Sequence, residues 1–338
     1  MTTNTGSATF EHVIGPTGRF QLRQFSGDIS IRGCDGDVVV VRERTGKSIT
    51  DSFQVEAGSG SLSLAAPGKF GVDLMIFGVG RRSSLDLEVD VPRRANVTVE
   101  TASAEVEAHG LLGGIRVRTA SGDVNLTDLA GGVELDAVSG DARVSASGPL
   151  DLRARTISGD LLVRAPRLDR SSIETTSGEV RVDALLAGPG PFSIQTVSGD
   201  ATVVGRAGIR IEARTITGDI RTDLPHRRES GPGRKAVVVG DGATTLTFKS
   251  VSGDLRVVAG RDDLPKVPSA PRDATVAATA DPAERPGAAS PSPAPAAAET
   301  LAQDAGHEVS RLDLLRALER GDLSVEAAMA RLAEIDEA

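Results

Sequence analysis

Apolar and polar residues alternate through most of the first 260 residues, and the alternation restarts at a nearly fixed interval. Each interval is centred on Ser-Gly-Asp or a close variant. Counting from the first residue of that motif as position zero, apolar residues fall at −6, −4, +3 and +5, and a small residue, often Thr, falls at −2. Alternation of period two marks strands with one buried face. The pattern therefore predicts two short strands per interval, joined by a corner at the motif. The position-zero residues are Ser26, Ser121, Ser139, Ser158, Ser177, Ser198, Thr217 and Ser252.

The motif repeats with a period close to 19 residues, since the steps from Ser121 to Thr217 are 18, 19, 19, 21 and 19. A second corner rich in Gly and Pro, such as Gly131-Gly132, separates successive intervals. A meander would leave one apolar sheet face uncovered, whereas a β-solenoid buries the inward residues of facing sheets against each other. The sequence therefore favours an all-β fold, a β-solenoid domain over residues 1–260 with about eight to ten stacked coils.

Weaker copies of the motif predict further coils toward the N-terminus. Ser103 keeps the apolar spacing but is followed by Ala-Glu, and Ser59 keeps part of it. A third copy, Asp35-Gly36-Asp37, is followed by Val38 and Val40. Ser26 and Ser103 are 77 residues apart, which is close to four periods.

Two insertions interrupt the repeat, at 67–84 and at 223–236. The first contains Phe70, Leu74, Met75, Ile76 and Phe77 followed by two arginines. It is interpreted either as a strand or cap over the end of the solenoid, or as an exposed apolar tip that contacts a membrane or a partner through residues 70–82. The second is polar and contains Gly and Pro, which predicts a surface loop.

Beyond the repeats the pattern changes twice. Residues 261–303 are dominated by Ala and Pro, which predicts a disordered, semi-extended linker. Residues 304–338 then show helical periodicity, with Gly321 ending a first helix and Ser324 capping a second. A helical hairpin this small seldom has a sufficient core. We therefore expect it to dock on the solenoid end, on another copy of itself or on a partner.

Composition excludes several classes of function. A net charge of −9 argues against a nucleic-acid-binding protein. Tyr and Trp are absent, so aromatic platforms for bases or sugars are scarce. Cys34 is the single cysteine and is expected to be a half-buried residue rather than a nucleophile. No secretion signal and no transmembrane helix are recognisable, so a cytoplasmic location is expected.

The most visible candidate chemistry is a column of acids at position +2. Calcium could offset their mutual repulsion, but one acid per coil is few ligands for that ion. The preferred interpretation is that each acid caps backbone N–H groups at its corner and forms exposed ion pairs with the arginines at +4. The acids are Asp123, Asp141, Asp160, Glu179, Asp200 and Asp219, and the arginines are Arg143, Arg181, Arg221 and Arg256.

Other site chemistry is weaker still. The Thr-x-Ser columns share the parity of the buried residues, so they should point inward at the corner rather than form an ice-binding face. His12, His109, His226 and His307 form no metal spacing. A polysaccharide-cleaving β-helix enzyme would need an acid pair or a base in a sugar-binding groove, and no such constellation stands out. The sequence therefore predicts no catalytic, cofactor-binding or metal-binding residues and no cofactor.

The runs FSGDISIRG, LDLEVDVP, TASGDVNLTDLAGGVEL and TISGDLLVRA resemble the bacterial putative-adhesin family of β-strand-repeat proteins, a domain of unknown function. The tail LDLLRALERGDLSVEAAMARLAEI is similar to the SHOCT-like helical hairpins that accompany this family. The resemblance implies a non-catalytic protein, in some members tied to cell-envelope stress signalling.

Together these observations predict a cytoplasmic, non-enzymatic binding or scaffold protein. Residues 304–338 would associate with a protein partner or with another copy of the chain. Two alternatives stay open at this point: a surface adhesin exported without a visible signal, and a carbohydrate-active β-helix enzyme.

Overall fold

The computed structural model describes residues 8–67, 84–205, 208–231 and 234–260. The chain divides into two compact units, Met1–Gly260 and Arg261–Ala338. The predicted linker, the predicted helical hairpin and the interior of the first insertion lie outside the described residues.

The described chain is almost entirely β-strand, with one four-residue helix, α1 (Ile49–Ser52). The strands are β1 (Thr9–Val13), β2 (Arg19–Ser26), β3 (Ile29–Cys34), β4 (Val38–Glu43), β5 (Gln54–Gly58), β6 (Ser61–Ala65), β7 (Leu87–Pro92), β8 (Asn96–Ser103), β9 (Val106–His109), β10 (Ile115–Ser121), β11 (Val124–Ser139), β12 (Ala142–Ser158), β13 (Leu161–Thr175), β14 (Val180–Leu186), β15 (Phe192–Thr196), β16 (Ala201–Gly205), β17 (Ile209–Thr215), β18 (Ile220–Thr222), β19 (His226–Gly231), β20 (Arg234–Val239), β21 (Thr244–Ser250) and β22 (Leu255–Ala259).

These strands stack as coils that contribute one strand to each of two parallel faces. The first face precedes the motif corner and the second face follows it. In spatial order the first face consists of β6, β2, β8, β10, the later halves of β11, β12 and β13, then β15, β21 and β17. The second consists of β7, β3, β9, the earlier halves of β11, β12 and β13, then β14, β16, β22 and β18. The predicted β-solenoid is confirmed.

Equivalent positions of neighbouring coils lie side by side. Val117, for example, pairs with Val99 on one side and with Leu135 on the other. The apolar positions predicted to point inward are buried on both faces and belong to one hydrophobic core. Columns of like residues therefore exclude water from the interior, and this burial of apolar surface is the main source of stability of the described coils.

The spatial order of the coils departs from chain order at both ends of the stack. Ser26 lies directly beside Ser103, and the coil containing β6 and β7 stacks on the far side of the Ser26 coil. Toward the other end, β21 and β22 are inserted between the coil at Ser198 and the coil at Thr217. Two coils can pair in parallel whenever their inward residues match, even if they are not adjacent in sequence. A longer connection between them is tolerated because its entropy cost grows slowly with its length.

Two of the predicted weak copies are wrong. The residues around Ser59 form a hairpin, because β5 runs antiparallel to β6 instead of crossing to the second face. The residues after Asp37 form β4, which runs antiparallel to β7 and buries Val39 and Val41 while Val38 is 36% exposed. Strands β4 and β5 therefore pair with the exposed edges of the outermost coil, where a further parallel coil was expected. The copy at Ser103 is a true coil.

The prediction of a surface loop at 223–236 is also wrong. Most of this insertion forms a β-hairpin of β19 and β20, and β20 pairs antiparallel with β17. The hairpin thereby covers the last strand of the first face. The surface loop was predicted because the segment is rich in polar residues. A strand at the end of a stack, however, needs only one apolar face, and in β20 the buried Val237 and Val239 form that face.

One buried carboxylate organises the turn that follows β4. Glu43 accepts hydrogen bonds from the Thr45 hydroxyl (2.6 Å) and from the Lys47 backbone N–H (2.7 Å). Burial alone would raise the pKa of Glu43, but these hydrogen bonds outweigh it and lower the pKa below its usual value. The charged side chain is thus used to hold a turn that leads into α1.

Candidate functional site

The serine or threonine at position zero ties each motif corner to the coil beside it. The Ser121 hydroxyl donates to the Ala102 carbonyl (3.3 Å), which precedes position zero of the neighbouring coil. The same bond recurs from Ser177 to Ile157 and from Thr217 to Val251. The position-zero hydroxyl is therefore used in a bond between coils. At position −2, Thr119 is 1% exposed, as its parity predicted.

The glycine of the motif is required because neighbouring corners approach each other through their backbones. A Cβ at Gly159 would overlap the carbonyl oxygen of Gly140, and a Cβ at Gly178 would overlap that of Gly159. Gly159 and Gly178 also have φ values of 120° and 115°, in a region that favours glycine. A column of glycines thus allows the coils to stack at the corner.

The acid at +2 completes the motif by capping the next coil. Asp123 Oδ1 accepts the backbone N–H of Asp141 (2.9 Å), Asp141 Oδ1 accepts that of Asp160 (3.0 Å), and Asp160 Oδ1 accepts that of Glu179 (2.8 Å). The same bond joins Asp200 to the Asp254 N–H. The predicted corner capping is present, but each acid caps the corner of its neighbour. The dipoles of the backbone N–H groups point toward the carboxylates and offset the electrostatic repulsion between neighbouring acids of the column.

Replacing Asp141 with Asn should cost about 1 kcal/mol or less of unfolding free energy, because the amide oxygen can still accept the Asp160 N–H. Asp141→Ala removes the acceptor and should cost more than the Asn variant does. Urea denaturation followed by circular dichroism, with and without calcium, measures both. A large loss in Asp141→Asn that depends on calcium would instead identify the column as an ion site.

One copy of the motif was not predicted from the sequence. Ser84-Leu85-Asp86 occupies the motif corner of the outermost coil, where Ser84 bridges to Ser26. Asp86 Oδ1 accepts the Asp28 N–H (3.1 Å), as in the other corners. Leucine replaces the glycine there, which hid the copy, although Leu87 and Val89 at +3 and +5 carry the expected pattern.

The outward residues of the first face form an ion ladder at position −3. Glu100 lies between Arg23 (2.7 Å) and Arg118 (3.8 Å), and Arg118 also pairs with Asp136 (3.2 Å). Farther along, Arg155 pairs with Glu174 (3.0 Å). Each exposed pair contributes little alone, but alternating charge penalises a shift of one coil against the next. Of the predicted pairs at +4, Arg221 contacts Asp254 (3.4 Å), the acid at +2 after Ser252, whereas Arg256 contacts Asp223 (3.3 Å), which lies outside the column.

A groove of about 750 Å³ runs along the first face, over the positions where its strands begin. We call it the arginine groove, because its rim carries Arg19, Arg116, Arg153 and Arg170, together with Glu134 and Asp151. Gly114 and Gly132 lie in its floor, and a Cβ at Gly132 would meet open space. The groove exists because two successive coils have no side chain at position −7.

A smaller concavity of about 400 Å³ lies between β18 and the β19–β20 hairpin. Its polar residues are largely engaged with each other. Lys235 contacts Asp219 (3.5 Å), and Glu229 pairs with Arg210 (2.8 Å) and Arg227 (3.0 Å). The hydrogen bond from Arg210, followed by that from Arg227, lowers the pKa of Glu229. This concavity therefore offers fewer free charges than the arginine groove.

The described histidines lie apart and serve local bonds: His12 contacts the Gly58 carbonyl, His109 the Thr127 hydroxyl and His226 the Leu224 carbonyl. No three His, Cys, Asp or Glu side chains in the described ranges are grouped as metal ligands. Cys34 is half-buried, and burial followed by the charge of Asp90 raises its pKa, so the thiol is protonated at neutral pH.

Within the described part of the chain, none of the helices has the length and apolar character needed to span a bilayer.

Solved structures that are similar to this chain, all at low identity, include the following three. A "putative adhesin" from Bacteroides fragilis is 11% identical with a TM-score of 0.39, covering 75% of this chain and 98% of its own. A "putative cell adhesion protein" from Clostridium sporogenes is 10% identical with a TM-score of 0.27, covering 75% and 100%. A "putative lipid binding protein" from Parabacteroides distasonis is 14% identical with a TM-score of 0.28, covering 76% and 98%. No curated protein sequence matches this chain significantly.

The family model described as Toastrack DUF4097 matches residues 74–258, which is more than half of the chain. The match extends from before the Ser84 corner into β22, and it agrees with the family resemblance expected from the repeated motif. The chain therefore belongs to the Toastrack DUF4097 family.

Proposed function

We propose that this protein is a non-catalytic binding or scaffold protein, in which the β-solenoid presents a binding surface and residues 304–338 associate with a protein partner or another copy of the chain. The observation that carries the proposal is the use of the repeated motif. Its hydroxyl donates to the coil on one side, its glycine admits close backbone contact, and its carboxylate caps the coil on the other side. The most regular polar chemistry of the chain is thus structural.

The enzymatic alternative is weaker for a physical reason. A glycoside-cleaving β-helix needs two carboxyl groups on opposite sides of a bound sugar, one of them with a raised pKa. The column acids Asp123, Asp141 and Asp160 instead lie in one row, and each is engaged as the acceptor of a backbone N–H group of the next coil. Of the two acids in the arginine groove, Glu134 is paired with Arg116.

A cytoplasmic location and a role in envelope stress regulation are part of the same proposal, and both derive from the sequence and the family resemblance. The competing proposal is a surface adhesin exported by another route. Cell fractionation distinguishes the two, because an adhesin would be found outside the cell or on its surface.

Deleting residues 304–338 should change the sedimentation coefficient of the protein or abolish capture of its partner, while the β-sheet circular dichroism of the solenoid is retained. A matched pair of point variants refines the test. Leu315→Glu places a charge on the apolar face that Val309, Leu312 and Leu315 share in the predicted first helix, whereas Ala317→Glu makes the same change in charge on the opposite face. We expect the first to reproduce the deletion and the second to resemble the intact chain. Unchanged sedimentation and unchanged capture after the deletion would contradict a role of this segment in association.

A further inference from the structure

We propose that the arginine groove binds an extended acidic peptide segment of a partner protein. This inference rests on the proposed binding function and specifies one ligand class for it. The groove runs from the coil of Arg19 to the coil of Pro191, which is six strand spacings of about 4.8 Å, or roughly 29 Å. An extended peptide of about eight residues has nearly this length.

The charges of the groove are unbalanced once its internal pairs are removed. Arg116 donates from Nε to Glu134 Oε2 (2.8 Å), so these two charges offset each other. Arg19, Arg153 and Arg170 are exposed and pair with no acid among the described residues. Asp151 is the one carboxylate of the groove left without a described cation. Three free guanidinium groups therefore face one free carboxylate, although the whole chain has a net charge of −9.

The distribution of these groups suggests how a peptide would lie. Arg153 and Arg170 lie on neighbouring coils toward one end, because Arg170 pairs in register with Asp151, two residues before Arg153. Arg19 lies at the opposite end. Between them, the space over Gly132 is open, so a peptide backbone can approach closely there, whereas Asn96 Oδ1 lies 3.0 Å from the position that a Cβ at Gly114 would take. Guanidinium groups bind carboxylates through paired, charge-assisted hydrogen bonds, so a segment with acids toward both ends fits this pattern.

Other polyanions fit less well. The groove lining contains no aromatic residue on which sugar rings or bases could stack. A nucleic acid places phosphates at every step, and Asp151 and Glu134 would then lie against them. A peptide can place a neutral or basic residue opposite these two acids.

The test uses the full chain and a fluorescein-labelled octapeptide with two Glu residues at each end and four Gly residues between them, which we call the acidic octapeptide; binding is followed by fluorescence anisotropy. The same peptide with Gln in place of Glu serves as the uncharged control, and inorganic polyphosphate and an oligouronate serve as competing polyanions. We expect the acidic octapeptide to bind, the Gln peptide not to bind, and the affinity to fall between about 50 and about 200 mM salt. Absence of binding of the acidic octapeptide at low salt would overturn the proposal.

Two double variants remove the same charge from different faces. Arg153→Ala with Arg170→Ala should weaken binding of the acidic octapeptide about tenfold or more. Arg143→Ala with Arg181→Ala removes two exposed arginines from the second face and should change it less than about twofold. Equal losses of affinity in both double variants would mean that binding is diffuse electrostatic attraction and would overturn the proposal. It would also be overturned if the oligouronate or polyphosphate bound more tightly than the peptide and depended on the groove arginines. A chain that loses binding of the acidic octapeptide but still captures its partner through residues 304–338 would leave the proposed function intact.

Discussion

Replacing Gly159 with Ala should destabilise the solenoid by about 3 kcal/mol or more, although it adds only one methyl group. Two penalties combine at this site. The added Cβ would overlap the carbonyl oxygen of Gly140 in the neighbouring coil, and the φ of 120° disfavours any residue with a side chain. Neither penalty can relax locally, because the corner is bonded to coils on both sides. A stack of coils has to separate to accommodate the methyl group.

Two control glycines separate the penalties. Gly36 has a similar φ of 126° but open space around its missing side chain, so Gly36→Ala should cost only the backbone strain, about 1–3 kcal/mol. Gly132→Ala has neither penalty and should be nearly neutral. Because the chain has no Trp or Tyr, the urea midpoint is followed by circular dichroism. If Gly159→Ala costs no more than Gly36→Ala, close contact between coils is not the reason for the glycine column.

The coil itself could be predicted from sequence because its signal is local. Residues such as Ile115, Val117 and Val124 follow period two on either side of Ser121, and each of them is buried as expected. The order in which coils stack could not be predicted. Any coil with the same inward columns can lie beside any other, so nothing in the spacing of Ser26 and Ser103 reveals that they are neighbours.

The end strands could not be predicted for a related reason. Val38 and Val40 have the apolar spacing of a coil, but antiparallel pairing with β7 turns Val39 and Val41 inward. A run of four valines is consistent with either parity, and only the partner strand decides between them.

The candidate site was hidden in a different way. The arginine groove combines positions −7 and −5 of several coils, where residue types do not repeat. Arg153 and Arg170 belong to different repeats, and only the register of β12 and β13 brings them together. The acid column was visible because it is periodic, yet its bonding partner in the next coil required the structure.

Placing a charge in an inward column should have an effect as large as the glycine substitution. Val117 is 0% exposed and lies between Val99 and Leu135 in the first face. Val117→Asp would bury a carboxyl group among these apolar columns. We expect a loss of about 3 kcal/mol or more in unfolding free energy. Val38→Asp makes the same chemical change at a position that is 36% exposed and should cost far less.

The pH dependence of this loss tests its electrostatic origin. Burial raises the pKa of the introduced carboxyl above its unfolded value of about 3.9, so the folded state holds a proton that the unfolded state releases. The penalty should therefore be smallest near pH 4 and grow as the pH rises toward 7. Val117→Ala, which removes volume without adding charge, should show a smaller loss that does not vary with pH in this way. An equal, pH-independent loss in both variants would mean that packing alone, rather than exclusion of charge by the stacked columns, determines the stability of the coil.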